Sequence, residues 1–388
     1  MTRMPRSVDW LQRLVAHDTT SRGPNQPLID EVAEYLTGLG VTTHVRPHPD
    51  QPGKANLVAT IPAADGGSAG GVLLSGHTDV VPVDGQDWSS DPWVATLVDD
   101  RIVGRGTADM KGFLAVVLEA VPAMLAEPLN RPVHLALSYD EELGCLGAGD
   151  LVDCFAEVGI SPEVGFVGEP TGMRVIRAHK SSYVAEAVFT GVAAHSSLTN
   201  QGVNAIEYAA ELVRWCRDRA DRWRTEGPFD EAFPIAYTTM SVNTIDGGIA
   251  QNTVPDRCVL RFEYRAIGAV DPDAVLAEAE QFIAGLDERM RAEDERAGAR
   301  LSVLARVPGL DTSDGPVTRL CRDLGLEILP DKVTYGTEAG MFSEAGVDTV
   351  VCGPGDIAVA HAADEYVTLD QLRACEDFID RLIDLLRR

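Results

Sequence analysis

At 388 residues, 45% of them apolar and 24% charged, the chain is long enough for two domains with ordinary globular cores. Its 33 basic residues stand against 60 acidic ones, a net charge of −27 spread along the sequence. That argues against the clustered Lys and Arg of a nucleic-acid or anionic-membrane surface, and its plainer effect is to keep the protein soluble.

No apolar run reaches the ~18 residues of a membrane span, because the best one, residues 113–125, is broken by Glu119 and Pro122. The start, MTRMPRSVDWLQRLV, has neither an uninterrupted apolar stretch nor a small-residue cleavage site, so no signal peptide is expected. Seven cysteines without a CxxC pair fit a reducing compartment, and a cytoplasmic location is expected.

In chain order, the periodicity predicts a helix over 28–39 that ends at Gly40, and a buried strand with a polar tip over 72–81. A helix follows from 111 to 125, then strands over 133–142 and 163–170. From about 181 the pattern changes to strand, helix (202–219), two strands (237–246 and 256–266), helix (272–289) and strand (300–307). That order, β-α-β-β-α-β, is a ferredoxin-like unit. After Pro308 the α/β pattern resumes with a strand over 349–355 and a helix over 368–387. The expected architecture is an α/β domain with a mostly parallel sheet, residues 1–180 and 309–388, interrupted by an inserted domain at 181–308.

Open α/β sheets place their sites beyond the carboxyl ends of strands, where buried parallel strands should otherwise be apolar. The polar tips here are His77-Thr78-Asp79, Asp140-Glu141-Glu142 and Glu169; Asp109 opens a helix and His361 follows the last sheet strand. His77, Asp109, Glu142 and Glu169 succeed one another at intervals of roughly 30 residues, one βαβ unit each, so they can reach one crevice. Two imidazoles and three carboxylates without a thiolate suit zinc, cobalt or manganese. Five ligands are too many for one tetrahedral zinc with an open position, and suit two ions ~3.5–4 Å apart with a bridging carboxylate.

Taken singly, each motif has a plainer reading. HxD is commonly a turn, DEE a helix cap, Glu169-Pro170 the start of a turn and AHAADEY a loop. Their conjunction outweighs these readings, because converging acidic groups repel one another unless cations intervene. His17, His44, His48, His134 and His179 have no such partners in the pattern.

SGHTDVVP (75–82), GRGTADMKGF (104–113), SYDEELGCLGA (138–148), GEPT (168–171), GVAAHSS (191–197), GGIAQNTVPDRC (247–258) and AHAADEY (360–366) resemble the acetylornithine deacetylase/succinyl-diaminopimelate desuccinylase family of dinuclear metallohydrolases. The resemblance implies a zinc-peptidase-like catalytic domain with a ferredoxin-like lid and dimerisation domain, working as a homodimer. It implies His77, Asp109 and Glu169 on one ion and Asp109, Glu142 and His361 on the other. Asp79 would orient His77, and the peptide after Asp109 would be cis. Glu141 matches the general base that takes a proton from the attacking water and returns it to the leaving amine. His195 matches an oxyanion donor, in relatives often from the partner subunit. Asn252 and Arg265 match residues that bind a substrate carboxylate, although Arg265-Ala266 departs from the usual Arg-Pro.

Within the family, residues 177–182, 201–212, 335–342 and 353–366 look most like the branch that hydrolyses N-acetyl-L-ornithine to ornithine and acetate, a step of arginine biosynthesis. Gly336, Thr337 and Glu338 would line that pocket, with Glu338 facing a cationic side chain; equally, Thr337 and Glu338 simply cap the next helix. The alternatives are a desuccinylase, an aminoacylase or a dipeptidase with the same machinery, and a non-catalytic scaffold on the same fold. A dinucleotide site at GCLGAG (144–149) is rejected: its spacing is GxxGxG, and Asp140, Glu141 and Glu142 beside it would repel pyrophosphate.

Overall fold

The computed structural model describes residues 4–388; residues 1–3, the head of the segment expected to carry no signal peptide, lie outside the described residues. Short two- and three-residue strands aside, the elements in chain order are α1 (Val8–Val15), α2 (Gln26–Gly38), β1 (Thr42–Pro47), β2 (Ala55–Ile61), β3 (Val72–His77), α3 (Lys111–Ala126), β4 (Val133–Ser138), α4 (Leu146–Val158) and β5 (Val164–Pro170). Next come β6 (Ser182–Thr190), α5 (Ala205–Glu226), β7 (Thr239–Gly247), β8 (Arg257–Arg265), α6 (Pro272–Glu293) and β9 (Gly298–Val307). Last are α7 (Pro316–Asp323), α8 (Ala339–Glu344), β10 (Asp348–Gly353) and α9 (Leu369–Leu386).

One unit comprises the chain up to Ala178, Leu310–Asp331 and Thr337–Arg388. Its six-stranded sheet has the order β1-β2-β4-β3-β5-β10. The four strands from β4 to β10 run parallel, whereas β1 and β2 add antiparallel at one edge. Every residue of β3, β4 and β5 is buried, as strands covered by helices on both faces must be. Helix α3 is apolar nearly all round and accommodates Pro122 in its interior.

Two expected strands are shorter in the structure. The strand predicted over 72–81 stops at His77, and that over 133–142 stops at Ser138. The tip of the second leaves the sheet where Asp140 turns the backbone into the left-handed region at φ 52°. Strands β1 and β2 were not predicted; β1 is short, polar and half-exposed, so it carries little hydrophobic signal. Helix α2 ends two residues before Gly40, whose φ of 80° turns the chain out of the helix.

The second unit is His179–Gly309 with Lys332–Gly336. Its four-stranded sheet, order β7-β8-β6-β9, is antiparallel throughout, with α5 and α6 as the two crossovers of a ferredoxin-like fold. Asn204 fixes the start of α5, its Oδ1 accepting the backbone N–H of Ile206 at 3.0 Å. The helix outruns its predicted end at 219 because its buried face continues sparsely, through Cys216, Ala220 and Trp223, among mostly charged residues. Pairs such as Arg217 with Asp221, four residues apart at 3.0 Å, support the exposed face there.

Each unit has its own hydrophobic core. All seven cysteines are free and buried. Among the described residues no helix is long and apolar enough to cross a membrane.

Candidate metal centre

The carboxyl ends of β3, β4 and β5 deliver His77, the Glu141–Glu142 turn and Glu169 to one place, and Asp109 joins them just ahead of α3. Asp109 stands in the middle. His77 Nε2 lies 3.0 Å from its Oδ1 and 3.8 Å from Glu169 Oε1. His361 Nε2 lies 3.2 Å from Asp109 Oδ2 and 3.1 Å from Glu142 Oε2. One carboxylate therefore gives one oxygen to each of two His-carboxylate sets. The triples His77, Glu141, Glu169 and His77, Asp109, Glu142 each bring ligand atoms within 4.8 Å of one another. The Asp109–Met110 peptide is cis.

The tautomer of His77 follows from its other nitrogen. Nδ1 lies 2.8 Å from the backbone oxygen of Asp79, which can only accept, so Nδ1 carries the hydrogen. In neutral imidazole that leaves the Nε2 lone pair facing Asp109 and Glu169, the state a metal ligand needs.

The electrostatics call for cations. Burial by itself would lower the His77 imidazole, but the hydrogen bond to Asp109 and the surrounding carboxylates hold it well above its ordinary value. The His361 imidazole, hydrogen-bonded to Asp109 and Glu142, is pushed up to about 10. Burial would raise Asp109, but hydrogen bonds from His361 and His77 hold it low. Burial pushes the carboxyls of Glu141, Glu142 and Glu169 up, and neighbouring carboxylates add to it. Glu142 Oε1 and Glu169 Oε1 are buried without a hydrogen-bond partner. Four crowded carboxylates exceed what two imidazolium groups offset, whereas two divalent cations beside neutral imidazoles would balance them. The residues present therefore fit a dinuclear site.

Glu141 and Glu142 sit on a single 3-10 turn, Glu141–Leu143, not on extended chain. With three residues per turn, adjacent side chains diverge by about 120°. That lets Glu142 reach His361 while Glu141 stands near His77 and Glu169. Cys145 Sγ donates to Glu141 Oε1 at 3.3 Å.

The turn is held from behind. Asp79 Oδ1 accepts the N–H of Glu141 at 3.0 Å, its Oδ2 accepts that of Glu142 at 3.2 Å, and Ser21 Oγ donates to Oδ2 at 2.6 Å. The Asp79 carboxylate is 3.6 Å from the His77 ring, so it shapes the turn at least as directly as it orients the imidazole. Asp140, buried next to the turn, forms a close ion pair with buried Lys54, whose Nζ also donates to the Ser21 carbonyl at 2.6 Å. Ser21 and Lys54 escaped the sequence reading. The one signal for Lys54 was a charged residue directly before the apolar run of β2.

Thr337 and Glu338 belong to the same unit and are fully buried. Thr337 Oγ1 accepts the Ala339 N–H at 3.2 Å, a capping contact at the start of α8. Neither oxygen of Glu338 has a hydrogen-bond partner, and burial pushes its carboxyl up to about 7.

His195, Asn252, Arg265 and Gly336 belong to the second unit. There His195 and Asn252 come together: Ser196 N–H donates to the Asn252 carbonyl at 3.0 Å, and His195 pairs with Thr253 in an isolated bridge. His195 is exposed, with Nδ1 2.8 Å from Ser197 Oγ. Arg265 ends β8 and lies 3.6 Å from Glu263, on the same strand, and Gly336 packs against Val307 and Ser182.

Residues 73–385 match the family described as peptidase family M20/M25/M40. In sequence the chain is similar to the acetylornithine deacetylase of Myxococcus xanthus, 35% identical, with 96% of this chain and 95% of that protein covered. It is 32% identical to the acetylornithine deacetylase of Proteus mirabilis (strain HI4320), with 98% and 97% covered. In structure it is similar to a dinuclear metal-binding peptidase of the M20 family from Bacillus subtilis, with a TM-score of 0.67, 14% identity and 98% of each chain covered.

Proposed function

The chain belongs to peptidase family M20/M25/M40 and is a hydrolase of amide bonds, and on that premise we propose that it deacetylates N-acetyl-L-ornithine. The unit containing the candidate metal centre is the catalytic domain, and the ferredoxin-like unit is a lid through which two copies form a homodimer. The working location is the cytoplasm.

The observation that carries the mechanism is Asp109, with one oxygen toward each histidine. His77, Asp109 and Glu169 would hold one divalent ion, and Asp109, Glu142 and His361 the other. Zinc suits this ligand set best, with cobalt or manganese as substitutes. When bound, such ions polarise the scissile carbonyl and acidify the attacking water. Glu141 takes that water's proton on its carboxylate and hands it to the departing amine nitrogen. Asp79 keeps Glu141 and Glu142 in place by accepting both backbone N–H groups. His195 donates to the developing oxyanion. Asn252 and Arg265 receive the substrate carboxylate, and Gly336, Thr337 and Glu338 line the pocket, Glu338 facing the δ-ammonium group.

Two measurements test the reading. Metal-loaded enzyme is offered N-acetylornithine, N-succinyl-diaminopimelate, N-acetylmethionine and simple dipeptides. The highest kcat/KM is expected for N-acetylornithine, and a better rival substrate replaces the named one. Glu141→Gln is expected to lose at least 100-fold in kcat while retaining its metal. Unchanged turnover sinks the general-base assignment.

A further inference from the structure

Two ligands of the second ion, Asp109 and His361, lie on separate loops, and a buried polar chain joins those loops. Glu365 is 1% exposed. Its Oε1 accepts the backbone N–H of Ala108 at 2.9 Å and of Asp109 at 3.0 Å. Its Oε2 accepts the N–H of Gly106 at 3.0 Å and the Nη1 of equally buried Arg105 at 2.6 Å. Arg105 Nη2 donates to Gln86 Oε1 at 2.6 Å. Gln86 Nε2 then donates to the backbone carbonyl of His361 at 2.8 Å. Trp88 Nε1 donates to the same Gln86 oxygen at 3.0 Å, and its ring lies 5.0 Å from the Arg105 guanidinium.

We propose that Glu365, Arg105 and Gln86 are positioning residues that set the spacing between Asp109 and His361, and so the affinity of the second ion. The inference rests on the two-ion reading above. His361 needs such an anchor: its side chain is 52% exposed, its φ is 61°, and its ring's contacts are with Asp109 and Glu142 themselves. Packing does not fix that ring, so its position follows from its backbone, and Gln86 holds the backbone. At the other end Glu365 holds the Asp109 backbone. Arg105 supplies the charge that makes a buried carboxylate tolerable and, being planar with several donors, serves Glu365 and Gln86 at once.

The chain treats the two ions unequally. His77 and Glu169 are fixed by strands β3 and β5, whereas His361 depends on the relay. Breaking the Gln86 link should therefore weaken one ion selectively, within the 10- to 100-fold range typical of residues that support metal ligands.

Metal-free wild type, Gln86→Leu and Gln86→Glu are titrated calorimetrically with Zn2+ and Co2+. Two uptake steps are expected in the wild type. In both variants one step should weaken by at least 10-fold and the other stay within about twofold. Gln86→Glu retains an acceptor for Arg105 but sets a carboxylate oxygen against the His361 carbonyl, whereas Gln86→Leu removes the donor without adding charge, so the two together test the loss of that hydrogen bond. Gln86 is a half-buried loop residue, so both variants are expected to fold. Unchanged affinities, or equal weakening of both steps, overturn the proposal. A wild type that binds a single ion overturns the two-ion reading instead.

Discussion

Lys54 and Asp140 show how far from the chemistry a residue can act on it. Both are buried, and a buried charge is tolerable only against its partner. Removing one partner alone is expected to cost about 3–5 kcal/mol in stability. Asp140 immediately precedes Glu141, so Lys54→Met should also lower kcat through the displaced turn, with KM little changed. Lys54→Met combined with Asp140→Asn leaves no orphan charge, and Asn tolerates φ 52°. The double variant is therefore expected to recover most of the lost stability in urea unfolding. Equal stability of the single and double variants would contradict this account. Sequence patterning singled out His77, Asp140-Glu141-Glu142 and Glu169 of the candidate site, because they break the apolar rule of buried strands. It missed Lys54, Ser21, Arg105 and Gln86, each of which has a partner at least 33 and up to 275 residues away in sequence.

At the scale of elements, the parallel strands act as rails whose ends aim the ligands. Gly168, on β5 just before Glu169, is where that aim is most exacting. A Cβ there would meet the buried Phe113 ring of α3, with Cγ at 2.0 Å, Cδ1 at 2.1 Å and Cδ2 at 2.5 Å. Gly168→Ala must push helix and strand apart, an overpacking expected to cost at least about 1–3 kcal/mol. Because α3 begins two residues after Asp109 and β5 carries Glu169, the same shift should weaken metal uptake. Thermal unfolding and metal titration of the variant check both effects; normal values in both would show that the helix yields freely. The predicted elements of both sheets were right in type wherever apolar periodicity was strong. They were wrong in extent where polar residues ended or continued an element, as at Ser138 and in α5. There the deciding forces were a left-handed turn at Asp140 and, in α5, the burial of Trp223 together with charge pairs along the exposed face.

For the whole molecule, two separate cores mean two bodies that need not melt together. All five candidate ligands lie in one of them. Ions that bind only the folded state stabilise it by about 2.7 kcal/mol each at a hundredfold excess over Kd. Chelation is therefore expected to lower the melting midpoint of the sheet unit by several degrees and to leave that of the ferredoxin-like unit in place. Calorimetry with and without EDTA reads this directly, and equal shifts of both transitions would contradict it.

The sequence by itself determined the kind of fold and the order of elements in the inserted β-α-β-β-α-β unit, and singled out the residues of the candidate metal site. Buried parallel strands must be apolar, so His77, Asp140-Glu141-Glu142 and Glu169 stand out as exceptions. The tertiary structure decided what each exception touches. It divided the two oxygens of Asp109 between His77 and His361, turned the Asp79 carboxylate toward the Glu141–Glu142 backbone, and tied His361 to Asp109 through Gln86, Arg105 and Glu365. Such contacts are written in no local pattern, because they depend on loops that meet only after the sheet has brought their ends together.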